Sequence, residues 1–205
     1  MSIVVDHESR KHEIALKALK LFSERGYQVV TYRHIAERCG LSRTLLYKYF
    51  KNKREIFDSA IMLIVYDIAV KFRKTVENNP GLSASEKLDL VLGDAARRVV
   101  EHPQLLQVIA EYLIRQRRQG EDVARKVKRH TVALRRTIKQ LIREGVASGE
   151  FLRAVNCNQL SDLLYSILEA AGLRISITDS ADLDEIRASY RLVIAAMRGN
   201  YGREK

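Results

Sequence analysis

The chain has 205 residues, of which 46% are hydrophobic and 30% charged, and its formal net charge is +11. This balance is typical of a folded globular protein and excludes an intrinsically disordered chain. The longest apolar run, residues 60–65, is too short to cross a bilayer, so the sequence predicts no membrane-spanning segment.

The positive charge is concentrated at the beginning of the chain. Residues 1–54 hold twelve Lys or Arg residues against five Asp or Glu, whereas residues 55–205 hold 24 against 20. A basic segment attracts polyanions, and nucleic acid and anionic membrane are the usual candidates. Because many proteins are basic without binding either, a merely solvated surface is the alternative at this point.

Neither the cysteines nor the histidines form a recognisable site pattern. Cys39 and Cys157 are too few for a disulfide framework, and no histidine pair has the i, i+4 spacing of a zinc site. Glycine-rich phosphate loops and nucleophile motifs are also missing. We therefore expect no cofactor, no metal and no enzymatic activity. Without a signal sequence at the N-terminus, we expect reduced thiols and a cytoplasmic protein.

The first predicted helix covers residues 10–25. Its apolar residues fall on one face at helical spacing: Ile14, Ala15, Ala18, Leu21 and Phe22. Gly26 follows directly, and glycine is common just beyond the C-terminus of a helix.

Two short helices separated by a brief turn come next. Thr31 is a suitable N-cap for a second helix that ends before Gly40, and Ser42 is one for a third that continues to about Phe50. Short capped helices joined by a turn that contains glycine are typical of a helix-turn-helix motif. The sequence predicts this motif at residues 31–50.

The remainder of the chain is predicted to be helical as well. Capping residues, glycines and the two prolines divide it into six segments: 52–76, 83–100, 103–118, 121–147, 156–177 and 182–197. No alternating apolar pattern indicates a strand. The predicted fold class is therefore all-α with about nine helices, three of them in a small N-terminal unit.

The third helix is predicted to have two different faces. The residues that face the bundle are Leu45, Leu46 and Phe50. The opposite side presents Arg43, Thr44, Tyr47 and Lys48. A helix fits the major groove, where an Arg side chain can donate to guanine and a Thr methyl can meet a thymine methyl. Tyrosine hydroxyls and Lys ammonium groups suit phosphate oxygens.

Two helix N-termini add candidate phosphate contacts. Thr31 opens the second helix and Lys53 opens the fourth, and the N–H groups and dipole at such ends favour an anion. The alternative is that Tyr47 and Tyr49 are packing aromatics and that the nearby cations are ordinary solvated charges.

This stretch strongly resembles the TetR family of transcription regulators. The matching residues are the helix opened by Thr31 with Ile35-Ala36, then Gly40-x-Ser42 and Leu46-Tyr47-x-Tyr49-Phe50-Lys51-Asn52-Lys53, with Ala18, Phe22 and Gly26-Tyr27 upstream. The resemblance covers roughly residues 10–60. Thr44 departs from the family pattern, in which Gly or another small residue is more common, so the base preference is expected to differ.

The resemblance implies a sequence-specific regulator that binds a palindromic operator in double-stranded DNA and is released from it, as a repressor, by a small-molecule effector. It implies a DNA-binding domain at residues 1–54 and a helical ligand-binding and dimerisation domain at 55–205. Phosphate contacts are implied for Thr31, Tyr47, Tyr49 and Lys53. Arg43, Thr44 and Lys48 are implied to be the residues that read base edges or their neighbours. The predicted DNA-binding set also includes Tyr32 and Arg33.

The C-terminal part is less informative about its ligand. Cations are frequent between residues 115 and 136. They form either a solvated face or the mouth of a pocket for an anion such as a carboxylate or acyl-CoA. The candidate ligand-binding residues are Tyr66, Phe72, Tyr112 and Arg115, although each aromatic ring suits a protein core equally well.

The last two helices carry apolar faces that either close the core of one protomer or join two protomers. We predict a homodimer through residues 156–177 and 182–198, because one recognition helix is a weak reader of DNA. A dimer places two of them about 34–36 Å apart, or at a multiple of one turn. Two competing classes are a protein-binding adaptor, without salt-dependent affinity for nucleic acid, and a helical enzyme, with turnover.

Overall fold

The fold is that of a computed structural model, which describes residues 2–178 and 180–199, with side chains from residue 7. These residues form nine α-helices and no strand, which confirms the all-α class. The helices are α1 (Ser2–Arg25), α2 (Tyr32–Cys39), α3 (Arg43–Tyr47), α4 (Lys53–Glu77), α5 (Ala84–Glu101), α6 (Pro103–Arg118), α7 (Val123–Ala147), α8 (Cys157–Thr178) and α9 (Leu183–Met197). None of the described helices is long and apolar enough to span a membrane.

Most helix ends lie where the capping residues predicted them. Ser83 and Glu86 form a capping box, in which the Ser83 Oγ accepts from the Glu86 N–H at 3.3 Å and the Glu86 carboxylate accepts from the Ser83 N–H at 2.8 Å. The Asn156 side chain accepts from two backbone N–H groups at the start of α8. These caps satisfy N–H groups that have no partner within the helix.

Two predicted helix ends differ from the structure. Helix α1 begins at Ser2 rather than near residue 10, because the preceding residues contain no glycine or proline and continue the helical pattern. Helix α3 ends at Tyr47 rather than at about Phe50. There the N–H groups of Lys48 and Tyr49 bond to carbonyls three residues back, at 3.1 and 3.0 Å, which tightens the chain into a turn.

The chain forms two compact units. The first comprises the residues up to Asp67 together with Val108–Glu121, and the second comprises Ile68–Gln107 together with the residues from Asp122 onward. Helices α4 and α6 therefore each contribute residues to both units. The assignment of functional domains to residues 1–54 and 55–205 stays a prediction.

The core of the first unit contains a cluster of four aromatic rings. Phe22, Tyr27, Phe57 and Tyr112 are all buried, and neighbouring ring centroids lie 4.5 to 5.5 Å apart. Offset and edge-to-face contacts of this kind add to the stability that burial provides. The cluster joins α1 and the start of α4 to the C-terminal half of α6.

The core of the second unit forms where α5 packs against α7, α8 and α9. Its largest fully buried side chains include Phe72, Leu88, Leu92, Phe151 and Tyr190. Gly145 of α7 allows the close approach of α5 and of the segment after α7, because only a glycine leaves space for the ring of Phe151.

Gly145→Ala is expected to lower the free energy of unfolding by about 3 kcal/mol, the upper part of the usual range for overpacking. The new Cβ would overlap the buried ring of Phe151 and lie 3.0 Å from the Cβ of Ala84. Urea denaturation measures the loss. Gly81→Ala is the control, since nothing lies within 4 Å of a Cβ there. Equal midpoints for the two variants would contradict the packing described for Gly145.

Candidate nucleic-acid interface

Three residues, Gly40, Leu41 and Ser42, connect α2 to α3. Gly40 has a φ of +67°, which a residue with a Cβ rarely adopts. The N–H groups of Gly40 and Leu41 bond back to carbonyls of α2, at 3.1 and 2.9 Å. The Ser42 Oγ then accepts from the Leu45 N–H at 3.1 Å and caps α3. The turn is thus closed on both sides by hydrogen bonds.

Burial divides the motif into an inner and an outer side. The buried side chains are Ile35, Ala36, Cys39, Leu46 and Phe50. Leu45, which was predicted to face the bundle, is only half-buried. The exposed side chains of α3 and its C-cap are Arg43, Thr44, Tyr47 and Lys48. Helix α3 therefore presents a continuous polar face, which we call the α3 outer face, defined by these four residues.

The cations on and beside the α3 outer face are exposed. Within the part of the chain that the structure describes, neither Arg43 nor Lys48 has an ion-pair partner. Arg33 of α2 pairs with Glu37 at 2.7 Å, but both side chains are well exposed, at 74% and 57%. Such surface pairs contribute little to stability. All three cations are therefore accessible to an anionic partner.

A capping box at the start of α2 involves Thr31 and His34. The Thr31 Oγ accepts from the His34 N–H at 3.2 Å, while the His34 Nδ1 accepts from the Thr31 N–H at 3.3 Å. The hydroxyl proton of Thr31 remains available to a phosphate. Sequence reasoning missed this role of His34, because the usual third residue of the box is Glu or Gln.

Tyr47 stacks on Tyr32, the first residue of α2. The ring centroids lie 4.5 Å apart and the rings are inclined by 24°. The Tyr32 hydroxyl donates to the Phe50 carbonyl at 2.6 Å, and burial raises the pKa of Tyr32 to about 12. Tyr47 itself is 51% exposed.

Tyr49 lies two residues after the end of α3, where it contacts α1. Its ring is half-buried and stacks on the ring of His7, with centroids 4.9 Å apart. Sequence reasoning could not find this contact, because 42 positions separate the two residues and neither belongs to a local motif with the other.

The Lys53 ammonium faces the loop before α2. It donates to the carbonyls of Tyr27 and Val30 at 2.7 and 2.8 Å, more weakly to that of Gln28 at 3.4 Å, and lies 4.4 Å from the centre of the Tyr27 ring. Burial, with a contribution from Arg115, lowers the pKa of Lys53. A phosphate contact by this side chain would require one of these bonds to break.

Comparison with known families gives the site its context. The sequence profile described as "Bacterial regulatory proteins, tetR family" matches residues 14–60, which include the whole motif. A second profile, "Tetracyclin repressor-like, C-terminal domain", matches residues 108–190. The chain belongs to the TetR family of DNA-binding transcriptional regulators.

Individual relatives and solved structures resemble this TetR-family chain to different extents. The HTH-type transcriptional regulator HbdR of Aromatoleum sp. (strain CIB) is 43% identical over 58 residues, which are 27% of this chain and only a quarter of HbdR. A TetR transcription regulator from Haloarcula marismortui has a TM-score of 0.81 at 19% identity, over 93% of this chain and 98% of that one. FadR from Bacillus subtilis, in complex with stearoyl-CoA, has a TM-score of 0.72 at 19% identity, over 91% and 97%. These two structures share the fold.

The four predicted effector residues of this TetR-family chain do not share one unit. Phe72 is buried in the core of the second unit. Tyr66, Tyr112 and Arg115 belong to the first. There Tyr66 is 67% exposed, and buried Tyr112 donates its hydroxyl to Asp58 at 2.8 Å. The Arg115 guanidinium donates to the Gln28 side chain. A cleft of about 530 Å³ between α5 and α9 is lined by none of the four.

Lys53→Met is expected to lower the free energy of unfolding by about 2 kcal/mol, because two partly buried carbonyls, of Tyr27 and Val30, lose a charged donor. DNA binding is expected to weaken as well, since the loop that leads into α2 loses its anchor. Chemical denaturation and operator titration measure the two effects. Lys51→Met is the matched control, because Lys51 is exposed. If Lys53→Met weakened DNA binding and left stability unchanged, the anchoring role would be wrong.

Proposed function

We propose that this TetR-family chain is a transcriptional repressor that binds a palindromic operator as a homodimer and leaves it when a small-molecule effector binds. The observation that carries the proposal is the α3 outer face. Its two cations have no ion-pair partner among the described residues. With a threonine and an exposed tyrosine, they lie on a short helix whose opposite side is buried. A helix with such a face suits the major groove, where each base pair presents a distinct pattern of donors and acceptors.

Within this proposal the residues divide by the chemistry that they offer. Arg43 and Thr44 face the base edges, and Lys48 next to them neutralises a phosphate. Tyr47 and Tyr49 donate to phosphate oxygens on either side, and Thr31 does so at the start of α2. Arg33 exchanges its surface pair with Glu37 for a phosphate, since both partners are exposed. Contacts to phosphates set the register of the motif and contacts to bases select the sequence.

The exposed side of α8 supports the proposed homodimer. One side of this helix is buried in the second unit, through Leu164, Leu168, Ala171 and Ile175. The exposed side is mixed: it carries charged residues, and also a row of apolar ones, Leu163, Ala170, Leu173 and Ile177. Helix α9 also has exposed apolar residues at helical spacing, Ala188, Leu192 and Ala196. Exposed apolar residues that share one side of a helix are typical of an interaction surface, and two helices from each protomer would form a four-helix bundle.

We further propose that the effector is an anionic acyl compound of the acyl-CoA class. FadR of Bacillus subtilis, which has a similar fold, binds stearoyl-CoA. In this chain α7 carries Lys128, Arg129 and Arg136, which are exposed and have no ion-pair partner among the described residues. Tyr66, Phe72, Tyr112 and Arg115 stay the predicted contacts. Binding would shift the population towards a dimer whose recognition helices no longer match successive major grooves.

The effector proposal is tested by titrating the protein on its operator, taken from selection on random duplex DNA, with palmitoyl-CoA. Release at micromolar palmitoyl-CoA, with coenzyme A and palmitate alone as controls, is the expected result. Binding to the operator that is insensitive to palmitoyl-CoA would contradict the effector class and leave the DNA-binding proposal intact. Failure to bind any duplex would contradict the proposed function itself.

The proposal assigns the chain no catalytic activity, since the family to which it belongs consists of regulators. An adaptor that uses the same helices to bind protein predicts no salt-dependent affinity for duplex DNA. The unpaired Arg43 and Lys48 favour the DNA-binding function, because phosphate-rich DNA is the partner for which such cations are most useful.

A further inference from the structure

The hydroxyl of Tyr32 has only one proton, and that proton is engaged inside the protein. It points to the Phe50 carbonyl at 2.6 Å. Phosphate oxygens accept hydrogen bonds and do not donate them, so a phosphate contact needs a free proton. Tyr32 was predicted to bind DNA, yet its side chain has no donor to offer. Its role has to be found in what it touches within the motif.

The ring of Tyr32 supports the ring of Tyr47. The two rings are nearly parallel, inclined by 24° with centroids 4.5 Å apart. Tyr32 is half-buried, whereas Tyr47 is 51% exposed. One face of the Tyr47 ring is thus covered, which restricts the rotamers of this side chain while half of it stays exposed. Stacked aromatic pairs contribute free energy beyond the area that they bury.

Helix α3 needs such support because it is very short. It has five residues, Arg43–Tyr47, and isolated helices of this length are not stable in water. Tyr32 contacts both its last residue and, through the Phe50 carbonyl, the turn that follows. The side chain of Tyr32, at the start of α2, therefore holds both the last residue of α3 and the turn that follows α3.

We infer that Tyr32 is a positioning residue, which sets the direction of the α3 outer face by stacking on Tyr47 and by holding the Phe50 carbonyl. This inference rests on the proposed DNA-binding function and deepens it. Tyr47 makes the contact with DNA, and Tyr32 acts through it. The loss of the Tyr32 ring therefore weakens DNA binding only while the Tyr47 ring is present.

A double-mutant cycle on operator affinity tests this inference. Tyr32→Phe keeps the stack and removes the hydroxyl, whereas Tyr32→Leu removes both. The difference in operator affinity between these two variants therefore measures the contribution of the ring stack alone. With Tyr47 intact, we expect Tyr32→Leu to bind the operator about two- to tenfold more weakly than Tyr32→Phe. In the Tyr47→Ala background, we expect the same two substitutions to give affinities within about twofold of each other.

A difference that persists in the Tyr47→Ala background would show that Tyr32 contacts DNA itself, and would overturn the inference. Equal affinities of Tyr32→Phe and Tyr32→Leu with Tyr47 intact would also overturn it, because the ring would then be purely structural. Circular dichroism identifies variants that fail to fold. If Tyr32→Leu does not fold, Tyr32→Phe still tests the inference. Because Tyr32→Phe lacks the hydroxyl, it is expected to bind the operator several-fold more weakly than the wild-type protein, and wild-type affinity would overturn the role of the Phe50 carbonyl.

A methylphosphonate scan of the operator separates the two tyrosines independently. Replacing a phosphate by a neutral methylphosphonate weakens binding where a donor contacts it. Tyr47→Phe is expected to lose sensitivity at one phosphate per half-site, and Tyr32→Phe is expected to lose it at no other phosphate. Loss by Tyr32→Phe of sensitivity at a phosphate that Tyr47→Phe leaves unchanged would show a separate contact and overturn the inference. If the wild-type protein binds no duplex, the proposed function fails first, and that outcome is distinct from every outcome of the cycle.

Discussion

Leu173→Glu is expected to convert the protein into a monomer and to lower its operator affinity by about a hundredfold or more. Leu173 is 60% exposed on the outward side of α8, in the apolar row with Ala170 and Ile177. A glutamate there would bury an unpaired carboxylate in the dimer interface, which is very costly. A two-fold interface contains every substitution twice, so the cost is doubled.

The effect on DNA binding follows from the number of recognition helices. A dimer docks two of them at half-sites one helical turn or a multiple apart, whereas a monomer keeps one. Specific binding to DNA is typically about 10³- to 10⁷-fold tighter than non-specific binding, so the loss of one recognition helix can lower the operator affinity by a large part of this ratio. Light scattering gives the mass and fluorescence anisotropy the affinity.

Leu90→Glu is the matched control for this prediction. Leu90 is an exposed leucine of the same unit, 41% accessible, but it lies on α5 rather than on the proposed interface. The control is expected to remain dimeric and to bind the operator normally. A dimeric Leu173→Glu variant with wild-type affinity would rule out α8 as the dimer interface.

Arg43→Ala is expected to lower operator affinity at least tenfold. Arg43 opens α3, is exposed and has no ion-pair partner among the described residues. A bidentate contact of Arg with guanine contributes about 1–3 kcal/mol of discrimination, and the dimer makes two such contacts. The variant is therefore expected to lose preference at one base pair of each half-site.

Lys48→Ala separates the base and phosphate contributions. If Lys48 neutralises one phosphate per protomer, its removal makes the negative slope of log affinity against log salt shallower, by about 1.8 per dimer. Lys20→Ala is the control, because Lys20 is an exposed cation of α1 outside the helix-turn-helix motif. Unchanged affinity and slope for both Arg43→Ala and Lys48→Ala would show that the α3 outer face does not bind DNA.

The elements that sequence reasoning predicted are those defined by local signals. Thr31, Ser42 and Ser83 cap helices because their side chains reach N–H groups only three residues ahead. The outer face of α3 follows from helical spacing alone. Such features depend on neighbouring residues in the chain, so the sequence contains the information without any knowledge of the tertiary fold.

What sequence reasoning could not predict depends on contacts between distant segments. Lys53 anchors carbonyls 23 to 26 positions earlier, and Arg115 and Tyr112 of α6 bond to residues 54 to 87 positions earlier in the same unit. A basic or aromatic residue that binds a ligand has the same sequence signature as one that stabilises a loop. Only the fold shows which hydroxyl and ammonium groups are already engaged.

The most direct test of the central claim is selection of random duplex DNA by the purified, effector-free protein, followed by affinity measurements across a salt series. The claim predicts enrichment of a two-fold symmetric site whose affinity falls linearly, on logarithmic axes, as salt increases. Failure of the folded protein to enrich any duplex at low salt would contradict it, and would favour a protein-binding role for the same helices.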